Sequence, residues 1–291
     1  MARFYARLAV SVARDTDVCL ANFYLTAYPV FVSRLAHRRA RVVYFLQGDE
    51  AESHGRLAEA SLTSRWVRYT LARGSYLLPM PMVCVSDWLR RQVGRPDAVV
   101  VGQGVDPAVF RPSRDADRST SPVIGTIANP APVKGYPDVV AALSGIANRR
   151  FEVLIVAADS TVVPSGMSAR SVSAWTEREM AAFYNQCDVF VFASHREGFG
   201  LPPLEAMATG CAVVTTACGG VTDFAQDHEN CLLVPPGDVA ALSAAIQRLL
   251  DDRTLRERLS SGGVRTAAKW AREQMTTRFA EQVAREACLP C

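Results

Sequence analysis

The sequence contains no run approaching eighteen uninterrupted apolar residues, so no segment reads as a membrane-spanning helix. A secretory leader is not legible either, because Arg7, Arg14, Asp15 and Asp17 interrupt the N-terminal stretch before an apolar core can form. These two absences make a cytoplasmic location the expectation. A large charge of one sign is also missing: 32 Lys and Arg stand against 29 Asp and Glu, a net charge of +3, too balanced for a chain whose task is to neutralise nucleic-acid phosphates. Nucleic acid is therefore not an expected partner. Internal repeats and low-complexity tracts are absent, which excludes solenoid and repeat architectures. A second C-x-x-C pair is missing as well. Cys288 and Cys291 alone have that spacing, and two thiols at the last four positions lack the further ligands and fixed scaffold of a zinc site. No metal and no cofactor are expected.

What is present is a chain of 291 residues, 49% hydrophobic and 21% charged, enough for two globular domains with sizeable cores. Cys84, Cys187, Cys211 and Cys231 sit beside apolar strand-like runs and read as reduced core thiols. The charge is unevenly spread. Residues 1–115 hold sixteen Arg, no Lys and ten acids, a local balance of +6 that leaves −3 for the rest. Such a basic part suits either a solvated surface or attraction to anionic lipid headgroups or an anionic acceptor, hence a peripheral contact with a membrane's inner face.

From residue 122 onward, short β-branched runs alternate with helical patterns, the mark of βα units on a parallel sheet. Strands are expected at Val123–Ala128, Phe151–Ala157, Arg170–Ala174, Asp188–Ala193, Ala212–Thr216 and Cys231–Val234. Helices are expected at Asp138–Ala147, Glu177–Gln186, Pro203–Thr209, Val221–Gln226 and Val239–Leu250. The set makes a nearly complete doubly wound domain. Residues 1–115 offer fewer units, with strands at Val18–Phe23, Val42–Gln47, Met82–Ser86 and Ala98–Val101 and helices around Val30–His37, Leu57–Leu71 and Trp88–Val93. The expected class is therefore α/β with three parts: an incomplete N-terminal domain over 1–115, a ligand-binding domain over 116–270, and a C-terminal helix over 271–291 packing back toward the first. The Pro-, Ser- and Asp-containing segment Arg111–Pro122 is the expected linker.

The most informative stretch is Ser194-His195-Arg196-Glu197-Gly198-Phe199-Gly200-Leu201-Pro202-Pro203-Leu204-Glu205. It follows a buried strand and opens a helix, so Glu197 should emerge where strand ends line a ligand crevice. Gly198 and Gly200 would let backbone N–H groups approach a ligand, and the two prolines suit a first helical turn, whose N-terminal amides attract phosphate. Glu205 is expected in that first turn, where a carboxylate can accept hydrogen bonds from two vicinal hydroxyls such as those of a ribose. Gly210 is expected to close the helix.

The spacing Glu197-x7-Glu205 with its Gly-Phe-Gly-Leu insert resembles the signature of the retaining glycosyltransferases of family 4. Ala212 to Gly220, Asn230 to Asp238 and Tyr184 to Asp188 extend the likeness along the C-terminal part, and Val85 to Leu89 and Gly104 to Pro112 extend it upstream. The resemblance implies a GT-B fold of two Rossmann-like doubly wound domains. It also implies transfer of a hexosyl or deoxyhexosyl unit, with anomeric retention, from a nucleotide diphosphate sugar to a glycan or lipid-linked acceptor in cell-surface polysaccharide synthesis. By position, Glu197 would contact the transferred sugar, Glu205 the ribose, and Lys134 the diphosphate; Gly198, Phe199, Gly200, Leu201 and Asn129 would complete the donor site.

Two departures from the family pattern stand out. Asn129 occupies the place, five residues before Lys134, where the family has an Arg, and Arg196 is a candidate substitute. Nothing before Asp17 resembles the strand and glycine-rich loop that shape the family's acceptor side, so about half of the N-terminal domain is expected to be absent. That leaves open a donor-binding subunit with no transfer activity of its own. Weaker candidates for the cleft are His195, beside Glu197, and Asp49 and Glu50, which follow a strand. Asp15-x-Asp17 and Asp115-x-Asp117 imitate the metal-binding D-x-D of unrelated transferases, but neither has a suitable context.

Overall fold

The structure is a computed structural model in which residues 18–36, 41–55, 61–113, 121–157 and 168–288 are described. Both D-x-D triplets, Cys291 and most of the expected linker lie outside those residues. The chain divides into two units. One contains the described residues up to Gly102 together with those from Met275 on; the other is Gln103–Gln274.

In the first unit, strands β1 (Val18–Ala21), β2 (Arg41–Leu46), β3 (Met82–Cys84) and β4 (Val99–Val100) form a sheet in the order β1-β2-β3-β4, with every pairing parallel. Helices α1 (Tyr24–Ala36), α2 (Glu50–Gly55), α3 (Leu62–Tyr76) and α4 (Asp87–Val93) connect them. Val42 to Tyr44 and Met82 to Cys84 are buried along their whole runs, as parallel strands covered by helices require. Val43, Val83 and Val101 form an apolar cluster, against which Phe279 of the last helix, α10 (Arg272–Cys288), also packs. Its ring lies 4.9 Å from that of Phe45.

The second unit carries strands β5 (Val123–Ile127), β6 (Glu152–Val156), β7 (Ala169–Val172), β8 (Val189–Phe192), β9 (Ala212–Thr216) and β10 (Leu232–Val234) in the order β10-β9-β8-β5-β6-β7. All are parallel. The chain starts at β5, runs outward through β6 to β7, and returns to the other side of β5 at β8, so the winding reverses between β5 and β8. Helices α5 (Tyr136–Ser144), α6 (Glu177–Asn185), α7 (Leu201–Ala208), α8 (Val239–Asp251) and α9 (Arg253–Ala268) complete the unit. Its core joins Ile124, Val189, Val191 and Val214 to Leu143, Ile146, Leu242 and Ile246.

Several local details differ from the sequence expectations. Residues 103–113 pack within the second unit: Phe110 is buried against the Tyr184 ring, the Ser113 N–H donates to Asn185, and Val105 pairs with the backbone around Ala271. The helix expected at Val221–Gln226 is instead a 3-10 turn over Gly219–Asp223, and α9 was not anticipated. Helix α7 begins at Leu201, two residues before the expected start, which moves Glu205 from the first turn to the second. Its end follows expectation: the N–H of Cys211 reaches Ala206 O and that of Gly210 reaches Met207 O, with Gly210 at φ 79°, the paired bonds of a Schellman motif.

Candidate functional site

In a doubly wound sheet, ligands bind outside the carboxyl ends of the strands where the winding reverses. Here that place is the end of β5 and β8, and both loops there are stitched together by backbone. After β5 the chain makes a 3-10 turn over Pro132–Lys134 and passes through Gly135 at φ 66° into α5. A Cβ on Gly135 would lie 1.9 Å from the carbonyl oxygen of Ala193, so only glycine lets the β5 loop sit on the end of β8. The His195 N–H and the Ser194 hydroxyl both donate to Val133 O, at 2.8 and 3.2 Å. These bonds fix the backbone on either side of two charged residues, and the Lys134 Nζ lies 2.8 Å from Glu197 Oε1.

Glu197 is held from a third side. Its carbonyl accepts the Gly220 N–H at 3.1 Å, and a Cβ on Gly219, which has φ 57°, would lie 1.9 Å from that same oxygen. The Ser194 hydroxyl reaches Arg196 O at 3.0 Å, and Thr216 donates to Ser194 O. The Glu197 side chain is 13% exposed and that of Lys134 35%, so the pair is partly withdrawn from water yet open to a ligand. Cys218 lies in the same electrostatic surroundings, and burial pushes its thiol up to about 12, leaving it un-ionised at neutral pH.

The rest of the motif divides between packing and access. Phe199 is 2% exposed, its ring 5.4 Å from Phe224 and 5.2 Å from Trp270; it anchors the loop in the core, and its side chain is not presented to a ligand. Gly200, at φ 99°, has no room for a side chain because Val221 Cγ2 would stand 2.5 Å from its Cβ. Gly198 and Leu201 are partly exposed at the entry to α7, which Pro202 and Pro203 open. Asn129 spends its Oδ1 on the Ala131 N–H at 2.9 Å, shaping the loop before Lys134. His195 turns to Asp138 of α5, Nε2 to Oδ2 2.5 Å. Arg196 is partly exposed in the same segment.

Glu205 projects from α7 and accepts a 2.9 Å hydrogen bond on Oε2 from the Tyr184 hydroxyl of α6. Burial raises its pKa; the Tyr184 hydrogen bond opposes the rise, Glu177 adds to it and Arg272 counters it. In the sequence Tyr184 stands only within a stretch that extends the family likeness, with nothing that marks it as a partner of Glu205. Helix period would have given the hint, since Ala181 and Tyr184 are buried on one face of α6, but the approach of α7 to that face is tertiary.

Asp49 and Glu50 follow β2 in the first unit, and one oxygen of each is engaged by its own surroundings. Asp49 Oδ1 accepts from the Glu52 N–H and the Tyr76 hydroxyl. Glu50 Oε2 accepts the Tyr24 N–H at 2.7 Å and the Tyr44 hydroxyl at 3.4 Å.

Residues 121–252 match the model of the family described as Glycosyl transferases group 1. Over 102 residues the chain is 35% identical to the capsular polysaccharide biosynthesis glycosyltransferase CapM of Staphylococcus aureus, which is 35% of this chain and 25% of that protein. Matches to the first three curated relatives cover 20% to 56% of their lengths. Among solved structures, sucrose-phosphate synthase from Thermosynechococcus elongatus superposes with a TM-score of 0.84 at 20% identity, covering 98% of this chain and 77% of that one. The Anabaena protein HepE in complex with UDP-glucose gives 0.78 at 19% identity, covering 97% and 82%. The fold is GT-B. In GT-B terms the family match spans β5 to α8, the part that contains Lys134, Glu197 and Glu205. Among the described residues, no helix is long and apolar enough to cross a membrane.

Proposed function

We propose that this GT-B chain transfers a glycosyl group from a nucleotide diphosphate sugar to a glycan or lipid-linked acceptor, with retention at the anomeric carbon. The observation that carries the reading is the Lys134–Glu197 pair at the reversal of a parallel sheet, within the residues that match the glycosyl transferase family. A cation already held beside a carboxylate needs little reorganisation when a diphosphate arrives. Lys134 would then share its protons with the phosphate oxygens, offsetting the charge that grows on them as the glycosidic bond breaks. Glu197, released from part of that ion pair, would accept hydrogen bonds from hydroxyls of the transferred sugar and hold its anomeric carbon in place beside the leaving phosphate. Glu205 would take the vicinal ribose hydroxyls on Oε1 while Tyr184 occupies Oε2. The leaving phosphate would assist deprotonation of the acceptor on the same face, which gives retention without a covalent intermediate. A relative named for capsule synthesis supports a cell-surface polysaccharide as the acceptor class, and a neighbour solved with UDP-glucose makes uridine the first donor base to try.

The test is calorimetry of the full chain against UDP, GDP and ADP, followed by NMR of the product's anomeric proton with the matching donor. Micromolar binding of one nucleotide and a product of unchanged configuration are expected. Absence of binding to any of the three overturns the donor reading; an inverted product overturns retention alone.

A further inference from the structure

Helix α3 breaks the usual partition of apolar residues. Its inner face, Ala72, Ser75 and Tyr76, is buried, yet Leu62, Trp66 and Tyr69 are exposed, Leu62 and Trp66 at 79% and 69%. With Arg73 and Leu77 they follow one another at spacings of four, three, four and four. That places all five on one stripe of the helix. Leu77, just past the helix end, is 82% exposed; Val67 and Leu71 are exposed on a separate flank of the helix. Leaving large apolar side chains in water is unfavourable, so such a strip outside a folded core marks a surface that something else covers.

The charges around the strip select the occupant. No acidic residue occurs between Glu59 and Asp87, while Arg65, Arg68 and Arg73 lie within the helix. The acids that α3's neighbours bring are already engaged: Asp49 and Glu50 bond to Tyr76, Tyr24 and Tyr44, and Glu52 accepts from Gln92. Trp and Tyr favour the headgroup level of a bilayer, and arginines beside an apolar helical face add attraction to anionic lipid. We infer that α3 is a peripheral docking helix for an anionic bilayer, lying in the headgroup plane with Leu62, Trp66 and Leu77 inserted. The inference goes with the lipid-linked form of the acceptor reading above, because it would bring the enzyme to the surface where such an acceptor resides.

The test is co-sedimentation of the full chain with phosphatidylcholine vesicles, with and without phosphatidylglycerol, alongside the double variant Leu62→Ser/Trp66→Ser. Both side chains are exposed, so the variant should keep the wild-type thermal melting point. Binding is expected to the vesicles that contain phosphatidylglycerol, weakened about tenfold or more by the variant, as loss of two inserted side chains demands. No vesicle binding by the wild type, or equal binding by the variant, overturns the inference. So does a dimer, seen by sedimentation equilibrium, that the variant dissolves without any vesicle binding, since the strip then belongs to a second copy. Nucleotide affinity measured on the same variant should be unchanged whichever result is found, which separates this inference from the donor reading.

Discussion

Both units end a central parallel strand with acidic residues, and the two acidic clusters have opposite fates. After β2, Asp49 and Glu50 are closed in by Tyr24, Tyr44 and Tyr76 and serve the local fold. After β8, Glu197 is paired with a flexible-chained cation, Lys134, across the point where the winding reverses. The difference is one of partners. Two donors on one oxygen tie each of Asp49 and Glu50 to the local fold, whereas an acid held by a lysine can exchange that partner for a ligand, because the ammonium moves with the ligand's charge. A strand-end carboxylate thus reads as a ligand group only where the surrounding chain leaves it an exchangeable partner.

The sharpest way to break this comparison is to remove the cation. Lys134→Ala should raise the barrier to transfer by about 2–4 kcal/mol, mostly as a fall in kcat; single-turnover assays that find a near-wild-type rate would take Lys134 out of the site. Next in size is Glu205→Ala, expected to weaken donor binding by about 1.5–3 kcal/mol, the worth of hydrogen bonds to a charged group. Titration calorimetry should show a larger loss of affinity for it than for Glu197→Ala, whose effect should fall on turnover; the reverse order would exchange the two assignments. The smallest effect concerns the first unit. Burial raises the Glu50 carboxyl from its usual 4.5 to about 7, so between those values the folded state binds a proton that the unfolded state has lost. Stability should therefore fall as pH rises through that window, by about 1 kcal/mol after allowance for partial solvent access. Glu50→Gln should flatten the fall in urea melts, and an unchanged pH slope would show that the group is not buried as described.

Much of the second unit was legible because its strands are short, β-branched and bounded by turn residues, so all six occur at the expected places within a residue or two. The Glu197, Lys134 and Glu205 positions were found through a motif resemblance, and the structure brings Lys134 and Glu197 into contact. Helix α9 was not legible because Ser260, Ser261, Gly262 and Gly263 break its helical pattern. Those glycines are there for close approach: a Cβ on Gly262 would lie 2.1 Å from Glu229 O, and one on Gly263 would meet Met207. The turn at Gly219–Asp223 replaced an expected helix for a related reason, the need of Gly219 to pass beneath the Glu197 carbonyl. Asp49 and Glu50 looked like cleft residues since nothing local announces that Tyr24, Tyr44 and Tyr76, from three separate segments, converge on them.

The helix that carries Phe279 into the first unit's core has a consequence for the order in which the molecule is made. Gln103–Gln274 is one uninterrupted stretch, and its contacts are all available once the ribosome has passed it, so this unit can fold as synthesis proceeds. The first unit is split: Val43, Val83 and Val101 are made early, but the aromatic ring that packs against them arrives more than a hundred and seventy residues later. Of the two units, the one begun earlier is thus the one finished later. During that interval its apolar sheet face is a natural client for chaperones.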